Sequence, residues 1–264
     1  MIKQYLSTLG YAVSLQNGIN EERIARHLGW GRTLGCIAST IGVFLEGPGR
    51  VVRNYQPGGP AYTIFRVGEA HGRVTARARE VAAMLRNVDS AEVTTDLWGE
   101  RWAKLIANSM HNGLAAVTGL THIGIYSQRE PRRVAIALGG EAVRVGRALG
   151  YEIDAVRGIP VDVLEAASRA DEGALAAAED IIHGWTARMT DVGRPSTAHD
   201  VMKGRRTEID AINGLIVESA EEAGIEVPCQ RAIVDLVRRV ERQGLAPGMH
   251  NLDALAQVAR PAVQ

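Results

Sequence analysis

A chain of 264 residues, 46% of them hydrophobic and 23% charged, is long enough for one large domain or two ordinary ones, each with its own core. Lys plus Arg balance Asp plus Glu, 30 against 30, so no charge excess calls for nucleic acid or an anionic membrane as partner, and aromatics at 5% are too sparse for base-stacking platforms. Cys36 and Cys229 stand far apart, the N-terminus lacks a signal-peptide-like apolar run, and no stretch approaches the roughly 18 apolar residues of a membrane helix, so a soluble cytoplasmic protein with reduced thiols is expected.

Residues 11–15 form a short β-prone run that ends in Gln16-Asn17-Gly18, and Asn20 is placed to cap a helix over residues 21–28 with acidic residues in its first turn. Residues 33–43, 50–53 and 62–67 are β-prone, and Gly47-Pro48-Gly49 and Pro57-Gly58-Gly59-Pro60 predict turns between them. A helix over residues 75–85 and a strand over 91–95 follow. Past Asp96 the pattern becomes helical, with helices expected over residues 97–117, 132–149, 161–170, 174–189, 207–223 and 231–243. Strands mixed with helices, then helices alone, predict two domains, 1–95 and 96–264.

The long helix carries Lys104, Asn108 and Asn112 at i, i+4 and i+8, on one face, with Leu105, Ile106 and Ala107 between. Asn is a poor helix-interior residue because its amide competes for backbone hydrogen bonds, so two of them one turn apart need a reason. Spacing alone favours a solvent-facing polar stripe. Downstream lie Arg194-Pro195-Ser196 and Gly204-Arg205-Arg206-Thr207-Glu208-Ile209-Asp210-Ala211-Ile212-Asn213-Gly214. Helix capping by Thr207, with Glu208 and Asp210 in the first turn, accounts for those three without any further role. Gly214 inside an apolar helical pattern points to close helix packing.

Taken together, Val13-Ser14-Leu15-Gln16-Asn17-Gly18, Gly47-Pro48-Gly49, Trp102-Ala103-Lys104-Leu105 with Asn108 and Asn112, Ala116-Val117-Thr118-Gly119, Ser196, and Gly204-Arg205 leading into residues 207–214 resemble the ketopantoate reductase (2-dehydropantoate 2-reductase) family, in order and spacing, over nearly the whole chain. The resemblance implies a Rossmann-type cofactor domain, followed by an all-α domain of the 6-phosphogluconate dehydrogenase C-terminal type. It implies NADPH-dependent reduction of ketopantoate, or a related 2-oxo acid, in pantothenate biosynthesis. It assigns Lys104 and Glu208 to catalysis, Asn108, Asn112 and Ser196 to substrate, and Asn17 to the cofactor. Lys suits that role, since hydride addition builds negative charge on a carbonyl oxygen that an ammonium stabilises and protonates. These side chains are expected to converge on one small cavity facing the Asn17-Gly18 corner.

The chain departs from the family at its start. No G-x-G-x-x-G turn stands between a strand and a helix. Gly29-Trp30-Gly31 follows a helix and enters a strand, the reverse order. The first strands of the cofactor domain are therefore expected to be absent, which leaves sheet edges exposed and NADPH binding an open expectation. The alternative is a catalytically silent paralogue that survives as a helical dimerisation or binding module. Apolar helices in the second half suit a homodimer interface or a simple core equally. The seven histidines lack ligand spacing and no G-x-S-x-G elbow occurs, so neither a metal site nor covalent catalysis is expected.

Overall fold

The computed structural model describes residues 2–39, 41–53, 57–58, 62–187 and 194–259, with the side chains of Ile2 and Phe44 undescribed. The expected turn at residues 59–60 and the end of the expected helix at residues 188–189 lie outside them. The chain divides into two compact units, Met1–Arg101 and Trp102–Gln264.

The first unit opens with a 3-10 turn at Ile2–Tyr5, then β1 (Ala12–Ser14), α1 (Glu21–Leu28), β2 (Thr33–Ala38), β3 (Val43–Gly47), β4 (Arg50–Arg53), β5 (Phe65–Gly68), α2 (Ala76–Leu85) and β6 (Ala91–Thr94). Four strands form a sheet in the order β1-β2-β5-β6, and β3 and β4 form a separate hairpin. Connections explain the strand directions. Helices α1 and α2 return the chain so that β1 with β2, and β5 with β6, run parallel, whereas the described residues between β2 and β5 include no helix and these two strands run antiparallel. The sheet is thus mixed, not wholly parallel. Leu34, Cys36, Ile64, Phe65 and Val67 pack against Ala78, Val81 and Ala82 of α2 to form the core. Thr75 caps α2 by accepting the Ala78 N–H at 3.2 Å. Asn20 takes the N-cap position of α1 without a side-chain cap bond. Its Nδ2 donates instead to the Asn17 carbonyl at 2.8 Å, and its own N–H is taken by Glu21 Oε2 at 3.1 Å.

The long helix α3 (Leu97–Thr118) starts in the first unit, where Asp96 Oδ1 accepts the Gly99 N–H at 2.9 Å as an N-cap, and continues through the second. The second unit adds α4 (His122–Ser127), α5 (Arg129–Ala148), the two-residue strands β7 (Ala155–Val156) and β8 (Ile159–Pro160), α6 (Val161–Ser168), α7 (Glu172–Thr186), α8 (Ser196–Met202), a 3-10 turn at Ile209–Ala211, α9 (Asn213–Ala223), α10 (Pro228–Glu241) and α11 (Leu252–Ala259). Most of α5 is buried and its apolar residues run all round it, the mark of a central helix. Its glycines admit neighbours: a Cβ on Gly146 would lie 2.0 Å from Nε1 of Trp102, which donates to the Ala142 carbonyl at 3.0 Å. No helix among the described residues is long and apolar enough to cross a membrane.

The expected helix over residues 207–223 is broken in two. Thr207 does not cap it: its N–H goes to Glu241 Oε1 at 2.7 Å and its Oγ1 accepts the Ile209 N–H at 3.2 Å, a local turn that competes with a helix start. Gly214 then falls in the first turn of α9, where a Cβ would meet nothing nearer than the Ile209 carbonyl at 3.4 Å, an ordinary contact, so close helix packing is not its reason.

Candidate functional site

The expected site residues fall in both units. In the first, Asn17 sits beyond the carboxyl end of β1, the end at which parallel α/β sheets bind ligands. The turn is held from two sides. Asn20 grips the Asn17 carbonyl, and Arg101 Nη1 donates to the Gln16 carbonyl at 3.0 Å. Arg101 also donates through Nη2 to the Ser14 carbonyl at 2.8 Å and pairs with Glu21, both side chains being 1% exposed. Gln16, Asn20, Arg23, Ile24, His27 and Leu28 line a groove of about 370 Å³ beside this turn. A dinucleotide cofactor has two ends to be held, nicotinamide and pyrophosphate. For the pyrophosphate end the described residues do not fit: Gly29, at φ 82°, ends α1, and Trp30–Arg32 forms a 3-10 turn into β2, so Gly29 and Gly31 build no phosphate loop.

In the second unit the stripe on α3 is not a solvent face. Lys104 and Asn108 are half-buried and Asn112 is buried, 5% exposed. The segment that carries Glu208 packs on this same stretch of α3. A Cβ on Gly113 would meet Ile233 of α10 at 2.6 Å and Ile209 at 3.4 Å, so only Gly lets both close on the turn next to Asn112. Glu208 is half-buried, and its carbonyl accepts from the Ala211 and Ile212 N–H groups at 3.0 and 3.1 Å, which winds residues 208–212 into one tight turn. Ser196 is the first residue of α8 and is exposed.

Two features of this region escaped the sequence. Asp200, on α8, has its carboxyl pushed above the ordinary value by burial first and then by the Glu208 carboxylate, so a second acid stands beside the expected catalytic one. Asn213, 0% exposed, donates through Nδ2 to the Ser109 carbonyl of α3 at 3.1 Å and to Gln230 Oε1 of α10 at 2.8 Å. Gln230 Nε2 passes the chain to the Leu138 carbonyl of α5 at 2.8 Å, while Glu141 of α5 accepts the N–H groups of Cys229 and Gln230, both at 2.9 Å, at the start of α10. Asn213 lies in the stretch that carries the family resemblance, but helical periodicity around it concealed the break that turns this amide inward.

His111 stands one residue before Asn112 and, at about 100° per residue, about 20° from Lys104 around α3, and its ring packs on α4. It is 4% exposed, packs edge-on to His122 with centroids 4.4 Å apart, and lies 3.2 Å from the Tyr126 hydroxyl. Burial, then His122 and Arg157, hold its imidazole well below the usual histidine range, and burial pushes the Tyr126 phenol up to about 12. Among the described residues no cluster of His, Cys, Asp and Glu has the makings of a metal site.

A family profile described as "Ketopantoate reductase PanE/ApbA C terminal" matches residues 96–241, more than half of the chain. The chain belongs to the ketopantoate reductase family. A relative from Archaeoglobus fulgidus, named 2-dehydropantoate 2-reductase, is 33% identical over 234 residues, 88% of this chain and 68% of that protein. The crystal structure of a PanE/ApbA family ketopantoate reductase from Ralstonia eutropha is 26% identical, with a TM-score of 0.70 over 92% of this chain and 70% of its own. A D-mandelate dehydrogenase solved with NADH, 20% identical at a TM-score of 0.72 over 92% of this chain and 73% of its own, shares the fold. Members of the family are oxidoreductases, and the α/β unit followed by a helical one seen in this chain is consistent with that family's solved structure over the matched stretch.

Proposed function

We propose that this chain reduces ketopantoate, or a closely related 2-oxo acid, to the 2-hydroxy acid with a nicotinamide cofactor, NADPH by preference. The observation that carries the reading is the half-buried Lys104–Asn108–Asn112 stripe with the Glu208 segment packed on the same helix, inside the stretch that matches the family profile. The cofactor, when bound, supplies hydride to the carbonyl carbon. Charge then grows on the carbonyl oxygen. The Lys104 ammonium stabilises that charge and donates the proton that completes the hydroxyl. Glu208 holds the ammonium in its charged form and accepts a hydrogen bond from a substrate hydroxyl. Asn108 and Asn112 carry amide donors that suit the carboxylate and the keto oxygen, and Ser196 adds a hydroxyl. Asn17 orients the nicotinamide from the sheet side.

Spectrophotometric oxidation of NADPH, and in parallel NADH, by the purified chain with ketopantoate tests the reading. Turnover with ketopantoate above other 2-oxo acids supports it, and faster turnover with NADPH supports the cofactor preference. No turnover with either cofactor and any 2-oxo acid overturns it in favour of the binding-module alternative.

A further inference from the structure

We propose that Asn213 is a positioning residue that sets the register between the segment carrying Glu208 and the helix carrying Lys104, Asn108 and Asn112. The inference rests on the roles of Lys104 and Glu208 given above and adds a residue that touches neither substrate nor cofactor. Three observations carry it. The Asn213 carboxamide uses both of its donor hydrogens, on Ser109 of α3 and Gln230 of α10, while its Oδ1 is buried without a hydrogen-bond partner among the described residues. A side chain kept for its two donors alone, at 0% exposure, serves the groups it joins. The acceptor on α3 lies between the two stripe asparagines, one residue after Asn108 and three before Asn112. The reach from Asn213 back to Glu208 is a single turn closed by two bonds to the Glu208 carbonyl. A shift of Asn213 along α3 is therefore passed to Glu208 with little slack.

The far side of the segment is tied to α10. Thr207 N–H goes to Glu241, and Asp210 accepts Arg238 Nε and Nη2 at 3.0 and 2.8 Å. Ile209 against Gly113 supplies apolar contact, which has no direction and tolerates sliding. The Asn213 amide adds a directional tie to α3 itself. Misplacing a catalytic group by about 1 Å lowers turnover on the order of 10²-fold, so the register matters on the scale of one hydrogen bond.

The test compares Asn213→Ala with Gln230→Met, which removes one acceptor but leaves the tie to α3, and with Leu255→Ala, a core variant of α11 with a comparable loss of stability. Asn213→Ala is expected to lower kcat with a 2-oxo acid by about 10–100-fold with cofactor KM unchanged. Gln230→Met and Leu255→Ala should keep kcat within about threefold of wild type, because they leave that geometry intact. Hydrogen exchange is expected to rise in residues 207–212 selectively for Asn213→Ala. Equal kcat losses in all three variants, or unchanged exchange in residues 207–212, overturn the proposal. Should Asn213→Ala fail to fold, isotope-edited NMR of the wild-type protein decides. Slow-exchanging carboxamide protons of Asn213 support the tie, and fast exchange overturns it. If the wild-type chain turns over no 2-oxo acid, the reductase reading fails, and exchange in residues 207–212 alone judges the register.

Discussion

Replacing Arg101 by Ala tests how the first unit holds its Asn17 turn. The guanidinium is 1% exposed and donates to Glu21 Oε1 through Nε at 2.9 Å, to the Gln16 carbonyl at 3.0 Å, to the Ser14 carbonyl at 2.8 Å and to Ser14 Oγ at 3.2 Å. Its loss leaves the Glu21 carboxylate, also 1% exposed, with the Asn20 N–H at 3.1 Å as a remaining donor. Removing one partner of a buried pair costs about 3–5 kcal/mol, because the other charge stays buried and uncompensated. For a unit of this size that is a fall in Tm of more than about 10 °C. Urea unfolding followed by tryptophan fluorescence, with Trp30 and Trp98 as probes of this unit, measures it. The double variant Arg101→Met, Glu21→Met removes both charges and should recover a large part of the loss, though not all, since the Ser14 and Gln16 carbonyls lose these donors. A loss below about 1 kcal/mol for Arg101→Ala, or a double variant no better than the single one, would refute the reasoning.

Lys104→Ala should cut kcat by about 10²–10⁴-fold while Tm moves little, and Glu208→Ala should chiefly raise KM for the 2-oxo acid; steady-state kinetics on folded variants checks both. His111 gives a pH signature. Its folded pKa lies below the unfolded value near 6.5, so the unfolded chain binds more protons and stability is lost as pH falls below about 6.5. The loss has a limiting slope of about 1.4 kcal/mol per pH unit, and urea titrations of wild type and His111→Phe between pH 7 and 5 should differ by that slope. Gly146→Ala reverses the usual sign. Ala is worth about 1 kcal/mol over Gly in a helix, but the Trp102 ring at 2.0 Å makes the change destabilising by about 1–3 kcal/mol. An unchanged or raised Tm would show that the ring moves aside freely.

The long elements were legible because periodicity accumulates with length. Helices α3, α5 and α10 carry 22, 20 and 14 residues and fall close to their expected spans. Helices α4 and α8, of six and seven residues, span fewer than two turns, too few for a period to emerge, and were missed. Helix α11, of eight, was missed as well, although Asn251 before it and Asp253 in its first turn resemble the Asn20 and acidic first turn that marked the equally long α1. The site divides in the same way. Spacing placed Lys104, Asn108 and Asn112 on one face, and the family resemblance supplied their roles. Spacing alone could not say whether that face meets water, because burial is decided by the elements packed against it. Asn213 joins Ser109, 104 residues away in sequence, and Gln230, 17 away. A contact of that kind leaves no periodic trace, and a break at Ile212 between two helical stretches reads as one continuous helix.

The central position of α5 bears on how such a chain tolerates change. One residue inserted after Ala142 would rotate everything downstream by about 100°. Val145 would then occupy the place of Gly146 against the Trp102 ring, while Glu141 upstream would still hold the start of α10. One half of the helix would stay in register and the other would not. The exact length of α5 is therefore under tighter restraint than the identity of most residues along it, and drift in length is expected to collect in the connections outside it.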